Sequence, residues 1–366
     1  MKFRKLINTL HLWFGLISGI VLLVVALTGC VLAFEDEIRD GTQHELLYVQ
    51  PENKPLLNVQ QTIAAIKLYD SKIKINQLRY FGQPGKAIQC FAKDKKIYAV
   101  DPYTGKVLGV RDQEKDPLYV LIAFHRTLLL GKLGEDIIYW NVRIFLVMLI
   151  SGIVLWLPRR VKQIRQSLTI KKGASGKRRN YDLHSVLGFY ACIPLLIIAM
   201  TGIDMSADNP KEAKQKSVMM ATVKSSAPKG IYDSVLQQVY HNEAIEGLRV
   251  TLPKDSTDII TVNIRYQTSG LRKQTVFSFD RYSGKLLKTD DYRNKTFSQR
   301  FFGSNYEVHT GRVLGLPGKI IMFLAALIAA SLPITGFLIW RGKNRKKSSS
   351  KKQPVVAKAG LAETIS

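Results

Sequence analysis

Apolar residues gather in four long blocks along the chain, separated by polar sequence. The blocks cover residues 12–34, 137–157, 185–203 and 320–340. Each is close to the roughly 20 residues that a helix needs to cross a hydrocarbon core of about 30 Å. The blocks contain a single charged residue, Arg143. The pattern therefore predicts an α-helical membrane protein with four transmembrane helices, and the lipid bilayer is its first partner.

Charge gives this arrangement a direction. The chain carries 54 Lys and Arg against 28 Asp and Glu, a formal net charge of +26. The excess lies in short segments before the first block, between the second and third, and after the fourth. Short basic segments mark the cytoplasmic side of a membrane, so we expect both termini and the linker 159–183 to be cytoplasmic. Because the excess is confined to these segments, it does not indicate nucleic-acid binding.

The stretch Leu27-Thr-Gly-Cys30 offers an alternative, because it resembles the cleavage box of a lipoprotein signal peptide. Cleavage there would remove the first helix from the mature protein. The apolar run before it is longer than the 7–15 residues of a typical signal-peptide core. The length therefore favours a helix that is retained.

The chain repeats itself in three separate patterns. H-x3-G-x12-T-G begins at His11 and again at His184, and H-x5-G-x2-G-x16-[ST]-G-x3-W begins at His125 and at His309. In the two long polar segments, D-x-Y-[ST]-G-K recurs from Asp101 and Asp280, between stretches of alternating apolar residues typical of strands. An amphipathic stretch precedes each. The repeats predict a tandem parallel duplication of one unit: a helix, a small extracytoplasmic α+β domain and a second helix.

This interpretation sets the domain boundaries. The first predicted half consists of a transmembrane helix (1–36), an α+β domain (37–122), and a pre-helix with the second transmembrane helix (123–158). A basic linker (159–183) follows. The second half consists of a third helix (184–204), a second α+β domain (205–306), a pre-helix with the fourth helix (307–341), and a disordered basic tail (342–366).

Four of the six histidines occupy matching places in the repeat. His11 and His184 begin helices that run outward, so they share the cytoplasmic end, while His125 and His309 share the outer end. A lone histidine at a membrane interface is often only a headgroup-level residue, but two matched pairs indicate two bis-imidazole sites. His44 and His241 have no counterpart.

Two imidazoles at one site suggest haem iron, zinc or copper. Zinc prefers three or four protein ligands, and no Cys, Asp or Glu stands beside these histidines to complete such a set. Haem needs only two axial ligands. Because C-x-x-C-H is absent from the sequence, we expect two non-covalent haems b.

Small and basic residues near the histidines fit this hypothesis. Gly15 and Gly188 follow His11 and His184 by four residues, on the same helical face, where they could leave room for a flat ring. Helix packing is the alternative role of such glycines. Arg126, Arg143 and Arg312 are candidates to bind haem propionates beside the outer pair, although Arg143 could instead extend its charge to the membrane surface.

The combination of the LH-x3-G…TG helices, the HR-x-LLLG-x2-G segment and the D-x-Y-[ST]-G-K hairpins resembles the PepSY-associated transmembrane family. The resemblance covers about residues 1–342. It implies a bacterial inner-membrane protein with PepSY-like domains in the periplasm. The family includes iron-regulated membrane proteins and ferrisiderophore reductases, which implies His11, His125, His184 and His309 as haem ligands. Unlike longer relatives, this chain has no fused flavin and nicotinamide domain, so a separate cytoplasmic reductase or a quinol must donate electrons.

We therefore predict a di-haem b electron-transfer protein that reduces periplasmic ferric siderophores or ferric iron. A non-redox membrane protein that binds or regulates a periplasmic protease or ligand is the alternative. A transporter is a third class, but the apolar blocks contain no Asp or Glu of the kind that ion-coupled carriers use.

Overall fold

Helices occupy both ends of the chain and surround two groups of strands. The computed structural model describes residues 2–206, 230–239, 244–253 and 259–350. In chain order the helices are α1 (Lys2–Leu32), α2 (Glu35–Thr42), α3 (His44–Leu47), α4 (Val59–Tyr69), α5 (Pro117–Thr127), α6 (Lys132–Trp156), α7 (Ile164–Ser167), α8 (Gly176–Ser206), α9 (Ile231–Val239), α10 (Phe297–Gly303), α11 (Asn305–Thr310) and α12 (Gly315–Ser350).

Within these residues, four helices are long and apolar enough to cross a membrane, namely α1, α6, α8 and the stretch Arg312–Gly342, which includes most of α12. The four predicted transmembrane helices are thus confirmed. They form a closed bundle in which α1 packs against α6 and α12, and α8 packs against the same two. Its core is rich in alanine, which lets helix backbones approach closely in a membrane.

The last helix extends further than the sequence suggested. The tail was predicted to be disordered from residue 342, but α12 continues to Ser350. The residues after the apolar block are Lys- and Arg-rich, and such residues are good helix formers whose charge is favourable near a helix C-terminus. Residues 351–366 lie outside the described part of the chain.

The strands form one antiparallel sheet at one end of the bundle. They are β1 (Ile75–Phe81), β2 (Ile88–Ala92), β3 (Lys96–Val100), β4 (Val107–Asp112), β5 (Ile245–Thr251), β6 (Ile260–Tyr266), β7 (Lys273–Phe279) and β8 (Leu286–Asp290). The order is β4-β3-β2-β1-β5-β6-β7-β8, which is symmetrical about the β1–β5 pair. The two segments predicted as separate domains therefore share a single sheet.

Each half of the sheet is built as the alternating pattern indicates. Side chains on one face, such as Leu78 and Val250, are fully buried with Ile66 of α4 and Val235 of α9. The D-x-Y-[ST]-G-K motifs form the tight turns between β3 and β4 and between β7 and β8, as predicted. In the first of these turns the amide of Gly105 donates to the carbonyl of Asp101 at 3.0 Å.

Two short helices, α5 and α11, connect the sheet to the bundle and carry His125 and His309. Each is followed by a sharp return into a transmembrane helix. A side chain on Gly134 would overlap the carbonyl oxygen of Thr127, and one on Gly318 would overlap that of Gly311. At Gly134 and Gly318 the start of a transmembrane helix therefore packs directly against the backbone at the end of the short helix before it. This contact explains why the H-x5-G-x2-G pattern ends in glycine.

Candidate functional site: two pairs of histidines

Each of the four repeated histidines is hydrogen-bonded to a hydroxyl group on another helix. The Nδ1–hydroxyl distances are 2.8 Å for His11 and Ser151, 2.9 Å for His125 and Thr28, 2.8 Å for His184 and Thr335, and 2.9 Å for His309 and Thr201. The hydroxyls belong to the repeated [ST]-G dipeptides. The same contact is therefore made four times, always between residues of the same half of the chain.

The hydrogen bonds of the hydroxyls define which ring nitrogen carries the proton. Each hydroxyl donates to a carbonyl oxygen one turn earlier in its own helix, for example Thr201 to Ile197 at 2.7 Å and Thr335 to Ser331 at 2.9 Å. A hydroxyl has one hydrogen to donate, so its oxygen must accept the Nδ1–H of the imidazole. Nε2 is then unprotonated, which is the state in which a neutral imidazole binds a metal.

The glycine of each dipeptide lies against the ring, and at Gly29 there is little space for a side chain. A Cβ atom on Gly29 would lie 3.2 Å from Cε1 of His125, and one on Gly202 would lie 3.6 Å from Cε1 of His309. Gly152 and Gly336 stand in the same relation to His11 and His184, at 3.5 Å. In the sequence these dipeptides are only landmarks of the repeat. Each one contacts the histidine of the other pattern in its half of the chain, so its fixed spacing from the histidine of its own pattern did not indicate the contact.

His11 and His184 face each other at the end of the bundle next to the basic linker. Their ring centroids are 6.4 Å apart and the ring planes are at 87°. An imidazole nitrogen binds a metal ion at about 2 Å. If both imidazoles bound one metal ion, the two bonds plus the distance from each nitrogen to its ring centre would span up to about 6 Å. The separation of His11 and His184 is therefore compatible with the predicted pairing.

His125 and His309 come together at the sheet end of the bundle, where both line one cavity of about 990 Å³. This volume is at the upper end of the range for cofactor and small-molecule sites. Small residues from all four long helices line the cavity, including Ala26, Gly29, Asn141, Ala199, Gly202 and Ala329. The cavity that both histidines line is large enough in volume for a flat macrocycle.

The predicted arginines take different positions. Arg126 lines the cavity. Arg143 instead packs its guanidinium over the ring of Tyr139, 3.2 Å from the centroid, and donates to the Tyr139 carbonyl. Arg312 is paired with Asp36 at 2.8 Å. Arg272 lines the cavity as well, although its place in the sequence, in the loop before β7, gave no indication of this.

The predicted glycines Gly15 and Gly188 lie against side chains of neighbouring helices. A Cβ atom on Gly15 would lie 2.9 Å from Cε of Met148, and one on Gly188 would lie 3.6 Å from Cδ2 of Leu332. Both glycines therefore accommodate a side chain of a neighbouring helix. Of the two roles considered for them, these contacts correspond to helix packing.

Ion pairs hold the histidine-bearing short helices in place. Asp116 caps α5 by accepting from the amide of Leu118 at 3.0 Å, and it also binds Arg39 of α2 at 2.7 Å. Burial raises the pKa of the Asp116 carboxyl, but the hydrogen bond and charge of Arg39 outweigh it, so the pKa lies below its ordinary value. On α11, the buried Glu307 accepts hydrogen bonds from Arg265 of β6 and from Arg272 in the loop before β7.

His44 is not part of either pair. His44 stacks on Tyr48 with 4.8 Å between ring centroids, and His241 lies outside the described residues. Across the ranges that the structure describes, no three His, Cys, Asp or Glu side chains cluster in a way that could hold a metal ion. Within those ranges the paired imidazoles therefore stand without further protein ligands.

The fold defines a multi-pass membrane protein in which four helices carry an antiparallel sheet at one end. A family model described as the PepSY-associated TM region matches residues 9–343. The chain belongs to this family, as the sequence motifs indicated.

Other comparisons add little. The curated proteins include no match to this chain. Among solved structures, the chain is similar to a protein described as a lipoprotein from Clostridium difficile 630, with 10% identity, a TM-score of 0.25, and coverage of 65% of this chain and 95% of that one. Similarity at that level carries no argument about fold or function.

Proposed function

We propose that this protein is a di-haem b electron-transfer protein of the bacterial inner membrane, and that it reduces a ferric chelate such as a ferric siderophore. His11 and His184 would hold one haem, and His125 and His309 the other. A haem b with two imidazole ligands accepts and donates single electrons at its iron.

One observation carries the proposal: Nδ1 of every repeated histidine lies within hydrogen-bond distance of a hydroxyl that itself donates to a helix carbonyl. Such hydrogen bonds fix the tautomer and the orientation of metal-binding imidazoles. A histidine that served only as a headgroup-level residue would not need a dedicated hydroxyl and a glycine on a second helix. The fourfold recurrence of this arrangement supports a ligand role for all four.

The separation of the pairs supports a path across the membrane. One pair lies at the end of the bundle that carries the basic linker, and the other lies at the end that carries the sheet. We assign the linker end to the cytoplasm on the distribution of basic residues, with both termini on that side. The donor would be a cytoplasmic reductase or a quinol, and the acceptor would be reached from the periplasm, beneath the PepSY-like sheet.

The chain's own residues prepare the sites for this role. The hydroxyls hold the Nδ1 protons, the [ST]-G glycines leave space for the rings, and small apolar residues line the cavity around His125 and His309. Arg126 and Arg272 supply positive charge at the rim of this cavity, which suits the carboxylates of a haem. Ionised groups of opposite sign form the stronger hydrogen bonds in proteins.

The test is the optical spectrum of the full chain purified in mild detergent from haem-replete cells. We expect a Soret band, and a sharp α band of low-spin haem b after reduction with dithionite. The reduced protein should reoxidise when a ferric chelate is added anaerobically, while a ferrous trap such as ferrozine develops colour in step. A colourless preparation would contradict the proposal and favour a non-redox PepSY protein that binds a periplasmic protease or ligand.

A further inference from the structure

Two arginines stand directly opposite each other where the two halves of the sheet join. Arg79 on β1 is the cross-strand partner of Arg249 on β5. Gln89 on β2 continues the row beside Arg79, and Asn263 on β6 continues it beside Arg249. This row of four side chains, which we call the seam row, holds two positive charges and two amides but no carboxylate.

The seam row lies on the face of the sheet that points toward the bundle. The opposite face carries Leu78 and Leu248 in the hydrophobic core under α4 and α9. Side chains alternate between faces along a strand, so Arg79 and Arg249 are on the other side. On that same side, Arg265 of β6 reaches Glu307 of α11, which places the seam row toward the helices that carry the histidines.

The charges of the two arginines are only partly balanced, because Glu246 and Asp36 act on Arg79 without forming an ion pair with it. Among the described residues neither Arg79 nor Arg249 forms an ion pair, and Arg79 lies over the ring of Phe81, 4.7 Å from its centroid. Burial, followed by the charges of Arg249 and Arg265, lowers the pKa of Arg79 to about 10. Like charges directly opposite each other destabilise a sheet. An anion bound between them would relieve this repulsion.

The charge of the seam row is separate from that of the haem cavity. The cavity around His125 and His309 is lined by Arg126 and Arg272, whereas Arg79 and Arg249 do not line it. The two regions are neighbours, because Arg265 and Arg272 share Glu307, which precedes His309 by two residues. A ligand on the seam row would thus lie next to the sheet-end pair without competing with the groups that suit haem carboxylates.

The two carboxylates whose charges reach Arg79 are each paired with another cation, Glu246 with Arg265 at 3.1 Å and Asp36 with Arg312 at 2.8 Å. Segment 207–229, which lies outside the described residues, contains five lysines against Asp208 and Glu212. Lys86 adds a further cation, with its Nζ 4.9 Å from the centroid of the Phe81 ring that Arg79 also covers. The charge of this face therefore favours an anionic ligand from solution.

We propose that the seam row binds the electron acceptor as an anionic ferric chelate, through carboxylate or catecholate oxygens of the chelator that meet Arg79 and Arg249. This rests on the function proposed above and narrows its substrate class, because a cationic chelate would be repelled by the same face. Arginine suits the role, since its planar fork of donors matches a carboxylate with two parallel hydrogen bonds.

The experiment measures binding of gallium(III) citrate, which carries the same oxygens as the ferric chelate and is not reduced, to the full chain by calorimetry at low ionic strength. We expect binding to the wild type that weakens as salt is added. Arg79→Gln and Arg249→Gln should each weaken it about 10- to 100-fold, as expected for loss of a hydrogen bond to a charged group. Citrate without gallium tests whether the chelate or any carboxylate is recognised.

Arg293→Gln is the matched control, because it also removes one arginine from the sheet region but one that faces Asp291 at 3.5 Å. Its binding should equal that of the wild type. Folding of each variant is checked by its melting temperature, which Arg249→Gln should raise, since it removes a like-charge pair. Equal binding by the wild type and both seam variants would overturn the proposal, and so would tighter binding of citrate alone than of the chelate.

The outcomes also separate this proposal from the proposed function. The protein could be red and be reoxidised by a cationic ferric hydroxamate at equal rates in the wild type and the seam variants. This result would support the electron-transfer function and contradict the proposed anionic acceptor. The protein could instead be colourless and bind gallium citrate in a way that depends on Arg79 and Arg249. This result would support the anion site and contradict the haem function.

Discussion

Thr335 accepts the Nδ1–H of His184 at 2.8 Å while its own hydroxyl hydrogen is donated to the carbonyl of Ser331. The hydroxyl, held in place by its own transmembrane helix, thereby fixes the orientation of the imidazole on another helix. A carbonyl oxygen can only accept a hydrogen bond, so the Thr335 hydroxyl must donate to it. The His184 ring is therefore held in the tautomer in which Nδ1 is protonated and Nε2 is not. The four hydroxyls therefore act as positioning residues rather than as ligands.

Thr335→Val keeps the shape of the side chain but removes the acceptor. We expect the haem affinity of the His11/His184 site to fall about 10- to 100-fold, the usual effect of losing a partner of a metal-binding histidine. The measurement is the haem content of purified protein together with its midpoint potential. Ser331→Ala is the control, because the Ser331 hydroxyl donates only within its own helix. Identical spectra and potentials for Thr335→Val and the wild type would show that the hydroxyl does not position the ring.

The histidines should act in pairs that cross the two halves of the chain. His11→Ala and His184→Ala should each remove the same haem, and the double variant should lose no more than either single one, because in the proposed function both imidazoles bind one iron. His125→Ala and His309→Ala should do the same for the other haem. His44→Ala and His241→Ala should leave the spectrum unchanged. If His11→Ala and His184→Ala removed different haems, the pairing would be wrong.

Replacing the glycine of an [ST]-G dipeptide by alanine should affect haem binding to a different degree at different positions. A Cβ atom at position 29 would lie 3.2 Å from His125, closer than the 3.6 Å between a Cβ at position 202 and His309. Gly29→Ala should therefore displace its imidazole and reduce haem occupancy at the His125/His309 site, and Gly202→Ala should have a smaller effect. Gly41→Ala, where an added Cβ meets nothing within 4 Å, is the control. Haem occupancy per protein measures the order, and a larger loss for Gly202→Ala would contradict it.

The ion pair of Asp116 with Arg39 should stabilise the protein only above acidic pH. The pKa of Asp116 in the folded protein lies below its unfolded value of about 3.9. The stabilisation is thus present at neutral pH and is lost as the pH falls from about 4 through the folded pKa.

Asp116→Asn keeps an acceptor for the α5 cap and removes the charge, so it should cost about 1–3 kcal/mol at pH 7 and much less at pH 3. Melting temperatures of both proteins at the two pH values measure this difference. Lys95→Gln, which removes an exposed partner of Glu114, should have little effect at either pH. An equal cost of Asp116→Asn at both pH values would show that the ion pair is not responsible.

Local pattern was sufficient to predict several parts of the molecule. The apolar blocks predicted the four long helices, since helix length and hydropathy are properties of contiguous sequence. The D-x-Y-[ST]-G-K motifs predicted two hairpin turns for the same reason. Matching positions in the repeat grouped His11 with His184, and the structure brings these two rings to 6.4 Å.

Contacts between distant segments were not predictable in the same way. The β1–β5 pair joins strands separated by more than 160 residues, and the alternation within a strand does not say which neighbour it pairs with. The position of Arg79 opposite Arg249 follows from that register and was missed with it. Arg143 stood out as the charge within an apolar block, but its contact with Tyr139 depends on the rotamer it adopts on its own helix.

The hydroxyl contacts have a consequence for how the molecule could be divided. Each half of the chain contains its own two histidine–hydroxyl bonds, yet each pair of rings takes one member from either half. A break in the linker 159–183 would leave two fragments, each with correctly oriented half-sites and neither with a complete one. Co-expressed fragments should recover both haems only when the β1–β5 edge reunites them, so cofactor content would report reassembly of the split protein.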